Sequence, residues 1–235
     1  MGHALTRRHR AALLLAPLVL VPLLLSGCGG YELKNIAKSD IDLVTDEFID
    51  ETRALVRELA EKLYARNPAE LRKVPGMTVE RRLQLLKDTP GPLDFPELGG
   101  REGIVALEVV FNPAFEGDRV FALVAGLGGM LRQAYGYNTE TYLLSEPLAP
   151  EALLTSARNI EILVWRLKHT RRADGRPFLV TSEYRGVVDN LSFERLFGKL
   201  IALQDMMARI AGDAGDRRVT RAVHAASSMF VPLPI

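Results

Sequence analysis

The sequence predicts an all-α fold, a compact multi-helix domain of about six to eight helices. Three observations lead there. Apolar residues recur at spacings of three, four and seven over long stretches, the signature of amphipathic helices. Short clusters of Pro, Gly and Asn separate those stretches and break the chain into segments of helical length. Period-two alternation is weak and confined to 176–190, where a small β-hairpin competes with a loop.

In chain order, Ser39 or Asp40 can cap a first helix that ends near Arg66, before Asn67-Pro68. Its apolar face is read as Ile41, Val44, Phe48, Leu55, Leu59 and Leu63, with Asp42, Asp46 and Asp50 on a solvated face opposite. Short helices follow at Ala69–Val74 and Val79–Lys87, divided by Pro75-Gly76. The stretch 88–100 holds Pro90, Pro92, Pro96, Gly91, Gly99 and Gly100, which makes it the best loop or subdomain boundary in the chain. Gly103–Phe111 is a short helix closed by Asn112-Pro113, and Asp118 to about Tyr135 a very apolar one. Pro150–Arg172 is a long helix with Leu153, Ala157, Ile160, Val164 and Leu167 on one side. Ser192–Ala211 and Asp216–Ser228 are the last two, followed by an apolar tail, Phe230 to Ile235, whose two prolines forbid a helix.

The first 27 residues belong to a different problem. Arg7, Arg8 and Arg10 precede an uncharged apolar run, Ala11–Leu25, interrupted by Pro17 and Pro22. A bilayer span needs roughly 20 apolar residues, so this is the pattern of an export signal. The small residues Ser26 and Gly27 then lead directly into Cys28, the only cysteine of the chain.

Leu25-Ser26-Gly27-Cys28 resembles the lipobox of bacterial lipoproteins. The resemblance implies cleavage between Gly27 and Cys28, a diacylglycerol on the Cys28 thiol and an acyl chain such as palmitate on the new amine. The resemblance covers only the first 28 residues; with the helical pattern starting at Ser39, the expected organisation is signal peptide 1–27, lipidated tether 28–38 and helical domain 39–235. Gly29 is compatible with delivery to the outer membrane, since retention at the inner membrane favours an acidic residue there in this class. The expected location is therefore the bacterial cell envelope, at the outer membrane with the domain facing the periplasm. Multiple acyl chains make such an anchor stable, each buried methylene contributing about 0.8 kcal/mol.

Composition narrows the function classes. The whole chain carries 30 Lys+Arg against 29 Asp+Glu, and loss of the three signal arginines turns its formal net charge from +1 to −2. A nucleic-acid binder would show a basic excess. With Cys28 acylated no disulfide can form, and the fold rests on core packing alone. No metal is expected, because only His169 and His224 remain after cleavage and no HExxH spacing exists. No cofactor is expected either. His224 with Ser227 and Ser228 lacks the elbow of a serine hydrolase.

Three features call for a choice between packing and function. Gly126, Gly128 and Gly129 sit in an apolar helical run without a following lysine, so close helix–helix approach explains them better than a phosphate loop. Contact of their backbone with a lipid or partner is the alternative. Trp165, Met206 and Met207 are read as core residues, with a ligand pocket as the alternative. The tail from Phe230 to Ile235 either packs on its own domain or docks into another protein. The leading expectation is a non-enzymatic envelope lipoprotein that assembles with, scaffolds or stabilises a membrane partner. A module that shelters a lipid or other apolar ligand between the glycine-bearing and methionine-bearing helices is the alternative, and an enzyme of cell-wall or lipid turnover the weaker one.

Overall fold

The computed structural model describes residues 38–184, 187, 188 and 190–229, with side chains over 38–182 and 190–217. Gly27, Cys28, Phe230 and Ile235 lie outside the described residues. The fold is all-α. From Ser39 onward the described residues form one compact unit. Its helices are α1 (Asp40–Arg66), α2 (Pro68–Leu71), α3 (Val79–Asp88), α4 (Gly103–Val110), α5 (Arg119–Ala134), α6 (Pro150–His169) and α7 (Ser192–Met229). A 3₁₀ turn at Pro96–Leu98 precedes α4. The hairpin expected within 176–190 is minimal: β1 (Glu183–Tyr184) pairs antiparallel with β2 (Val187–Val188), Glu183 opposite Val188.

The centre of the domain is α5. Its sequence is apolar all round, the mark of a helix enclosed by others, and every residue from Arg119 to Leu127 is buried. Asp118 caps it, Oδ1 accepting from Phe121 N at 3.0 Å. Around it α4, α1 and α6 pack directly, while α7 lies against α6 and α1. Leu59 and Leu63 of α1, Leu123 and Leu127 of α5, Ile160 of α6 and Leu200 of α7 meet in the main core. A smaller cluster of Ile49, Tyr135, Leu153, Met207 and Ala211 closes the end at which α1 begins.

Three expectations are corrected. The first turns of α1 present Asp42, Thr45, Ile49 and Thr52 inward, while Val44 is exposed and Phe48 only half-buried. The reason is polar. The Asp42 carboxylate accepts from Ser39 N (2.7 Å) and Ser39 Oγ (2.6 Å) at the helix start. Asp46 Oδ1 accepts from Thr141 N (2.7 Å), and Thr141 Oγ1 bonds Asp42 O (3.0 Å), so a loop covers this face through hydrogen bonds. Asp50 alone of the three aspartates is exposed.

The second correction concerns Trp165, 60% exposed instead of in the core. It lies five residues past the buried Ile160, about 140° round the helix, and its ring stacks on that of His169 at 4.8 Å. The third is that α7 runs unbroken from Ser192 to Met229, through the expected break at 211–216. Gly212 and Gly215 each cost a helix about 1 kcal/mol, and no proline stands there to stop it.

Candidate functional site

Between α1, α3 and α5 lies a cleft of about 550 Å³. Its making is local. Thr89 to Pro92 cannot extend α3, because two prolines and Gly91 intervene, so the chain leaves the helix and crosses extended toward Leu93. Arg132 of α5 fixes that crossing, donating from Nη1 to Thr89 O (2.6 Å) and Gly91 O (3.1 Å) and from Nη2 to Leu86 O. The strap thus stands off the bundle and leaves space behind it.

The walls are apolar: Ile49 and Val56 from α1, Leu83 and Leu86 from α3, Leu93 from the strap, Val124 and Leu131 from α5. The floor at Gly128 is bare backbone, where a Cβ would meet only Leu93 Cδ1, at 3.2 Å. Thr52 and Tyr135 add a polar end. The Tyr135 hydroxyl and Gln204 Oε1, both buried, make no hydrogen bond of good geometry. Burial pushes the Tyr135 phenol up to about 12, although Thr52 and Gln204 lie near enough to hold it partly down. Charges of both signs form the rim. Arg53 bonds Asp50 Oδ1 (3.3 Å) and Thr139 O (3.4 Å), Arg57 bonds Glu61 (3.1 Å), and Lys87 and Asp88 complete the edge.

The strongest buried polar constellation lies outside this cleft and is structural. Arg82 is fully buried, with Nε 3.3 Å from Asp118 Oδ2, Nη2 2.7 Å from Glu97 Oε2, and its guanidinium 3.9 Å above the Phe121 ring. Tyr64 Oη donates to the same Asp118 oxygen at 2.8 Å. Burial opposes the charge on Arg82, but the hydrogen bonds and charges of Glu97 and Asp118 outweigh it and hold the guanidinium protonated. Burial and the Asp118 charge push the Tyr64 phenol far up. Both Asp118 oxygens are already taken by a helix cap, a phenol and an arginine, which leaves no lone acid or base presented to a substrate. Among the described residues no group of three or more His, Cys, Asp or Glu is placed to hold a metal ion.

The three glycines divide. A Cβ at Gly126 would stand 2.8 Å from Leu107 N, and one at Gly129 3.2 Å from Gly103 N, so both let α4 seat on α5. Gly128 alone faces the cleft. Met207 is buried in the smaller core cluster and Met206 is exposed; neither lines the cleft. The cavity-lining helices are therefore α1, α3 and α5, and the expected contribution of the methionine-bearing helix is replaced by that of α1. Sequence reasoning missed Thr52, Leu93 and Tyr135. The one signal in the sequence is at Leu93 itself, an apolar residue that with Phe95 lies between Pro92 and Pro96.

Comparison of the chain with protein-family models, with curated proteins and with solved structures finds no match. The functional reading therefore rests on the residues and their geometry.

Proposed function

We propose that the chain is a cell-envelope lipoprotein, acylated on Cys28 and held at the outer membrane, whose helical domain carries an acyl chain or similar apolar ligand in the cleft of α1, α3 and α5. The cleft carries this reading. Its volume of about 550 Å³ falls in the range of small-molecule sites, about 300–1,000 Å³, and its lining has their composition of apolar walls with a few polar groups at one end. Native mass spectrometry of protein purified from envelope membranes in mild detergent should show a bound lipid, and Gly128→Leu, which fills the floor, should lose it. A wild-type protein that carries no lipid and fails to bind a fluorescent fatty acid would end this reading.

A second reading, assembly with a membrane protein, draws support from a different face. Ile104 and Val105 on α4 and Ile162 and Trp165 on α6 are exposed, and Arg166 Nη1 to Glu108 Oε1 (3.4 Å) bridges the two helices between them. Photocrosslinking from Val105 separates the readings: capture of one envelope protein by a ligand-free domain would favour assembly.

A further inference from the structure

Between α5 and α6 the chain closes a tight turn at Tyr142–Ser145, with Ser145 N donating to Tyr142 O (2.8 Å) and Tyr142 N to Ser145 Oγ (2.9 Å). Turn tips ordinarily carry Gly, Asn, Asp, Ser or Pro. Here the tip is Leu143 and Leu144, 64% and 96% exposed. Tyr142 beside them is exposed as well. The turn does not dangle, because Thr141 bonds both Asp42 O and Asp46 Oδ1 and so fastens it to the first two turns of α1. Leu43 and Val44 on those turns are exposed too. The domain thus gathers exposed apolar side chains at the end where the chain arrives from Cys28.

We infer that the Tyr142–Ser145 turn contacts a lipid bilayer and seats Leu143 and Leu144 among the acyl chains of the leaflet that holds Cys28. This rests on the proposed acylation of Cys28. The stretch from Cys28 to Ser39 reaches at most about 40 Å even when fully extended, so the first turn of α1 stays close to the membrane. Five exposed apolar side chains, Leu43, Val44, Tyr142, Leu143 and Leu144, are few against the roughly 20–30 residues a side of a stable protein interface. A fluid apolar medium needs no matched shape, and a tyrosine at its boundary is where that side chain is favoured. The residues flanking the tip, Glu140 and Glu146, are acidic. The contact is therefore apolar, not a charge attraction to anionic headgroups.

The test uses acylated protein in phosphatidylcholine vesicles whose acyl chains carry bromine at defined depths. Leu144→Trp in a Trp165→Phe background supplies the only tryptophan, at a side chain so exposed that the fold does not depend on it. Ala173→Trp in the same background, in the exposed loop after α6, is the control; α6 is 20 residues long, which sets that loop about 30 Å from the turn side. L144W emission should shift to the blue and be quenched most by the shallowest bromines, in high salt as in low, while A173W stays unquenched. Acylated protein in which L144W is quenched no more than A173W would overturn the inference. Intact mass of the same preparation reports on the anchor separately: Cys28 without lipid would overturn the acylation reading and the inference with it.

Discussion

Arg82 shows how one residue can commit a region of the fold. A guanidinium with no exposed surface is tolerable only if every charge near it is answered. Glu97 and Asp118 answer it, and Phe121 receives its face. Removing Arg82 is costly because Asp118 remains fully buried. Arg82→Met should destabilise the domain by about 3–5 kcal/mol, through an Asp118 left in the core without its cation. Adding Asp118→Asn should recover part of that loss, since the neutral amide leaves no buried charge, its oxygen still accepts from Phe121 N and its NH2 can donate to the Tyr64 hydroxyl. Urea titration of both variants checks this; a double variant no more stable than the single would mean that Arg82 acts by packing and not by charge.

At the scale of elements the glycines of α5 decide how helices sit. Gly126→Ala would place a Cβ 2.8 Å from the backbone nitrogen and 2.9 Å from Cγ of Leu107, and 3.0 Å from Gly103 O, contacts that α4 can relieve only by moving. Overpacking of this kind costs about 1–3 kcal/mol, more than the roughly 1 kcal/mol that alanine returns to a helix. Gly128→Ala meets only Leu93 Cδ1, at 3.2 Å, a side-chain end with the cleft beside it to shift into, so the helix term wins. Thermal melts should therefore fall for the first variant and hold or rise for the second. Much of this level was legible in the sequence: the cap at Ser39, the start of α5 at Asp118, the breaks at Asn67-Pro68 and Asn112-Pro113, and the very apolar character of α5. The inward face of early α1 was not, because Ile41-Val44-Phe48 and Asp42-Thr45-Ile49 both satisfy helical spacing. Only Thr141, far along the chain, selects the second set. The cleft was illegible for the same reason. Its lining comes from separated segments of ordinary composition, and the space exists only because Arg132 holds the strap of 89–91 where it is.

For the whole molecule the question, on the proposed reading, is what would hold a domain of near-neutral charge at a membrane. No described helix is long and apolar enough to cross one. The turn at Leu143 and Leu144 offers at most two leucines, each contributing about 1.5–3 kcal/mol when fully buried. Against the loss of translational freedom on binding, that gives weak, reversible contact. Two or three acyl chains at about 0.8 kcal/mol per methylene supply far more, so on the proposed reading attachment depends on Cys28 and the turn only orients the domain. Cys28→Ala should abolish incorporation of labelled palmitate and remove chain of the mature size from the membrane pellet. Reading only the mature size matters, because a precursor that keeps residues 1–27 retains its own apolar run and can sediment without any lipid. An unacylated chain of mature size that still pellets would shift the anchor from Cys28 to a protein partner, and the exposed face of Ile104, Val105, Ile162 and Trp165 would be the first surface to mutate.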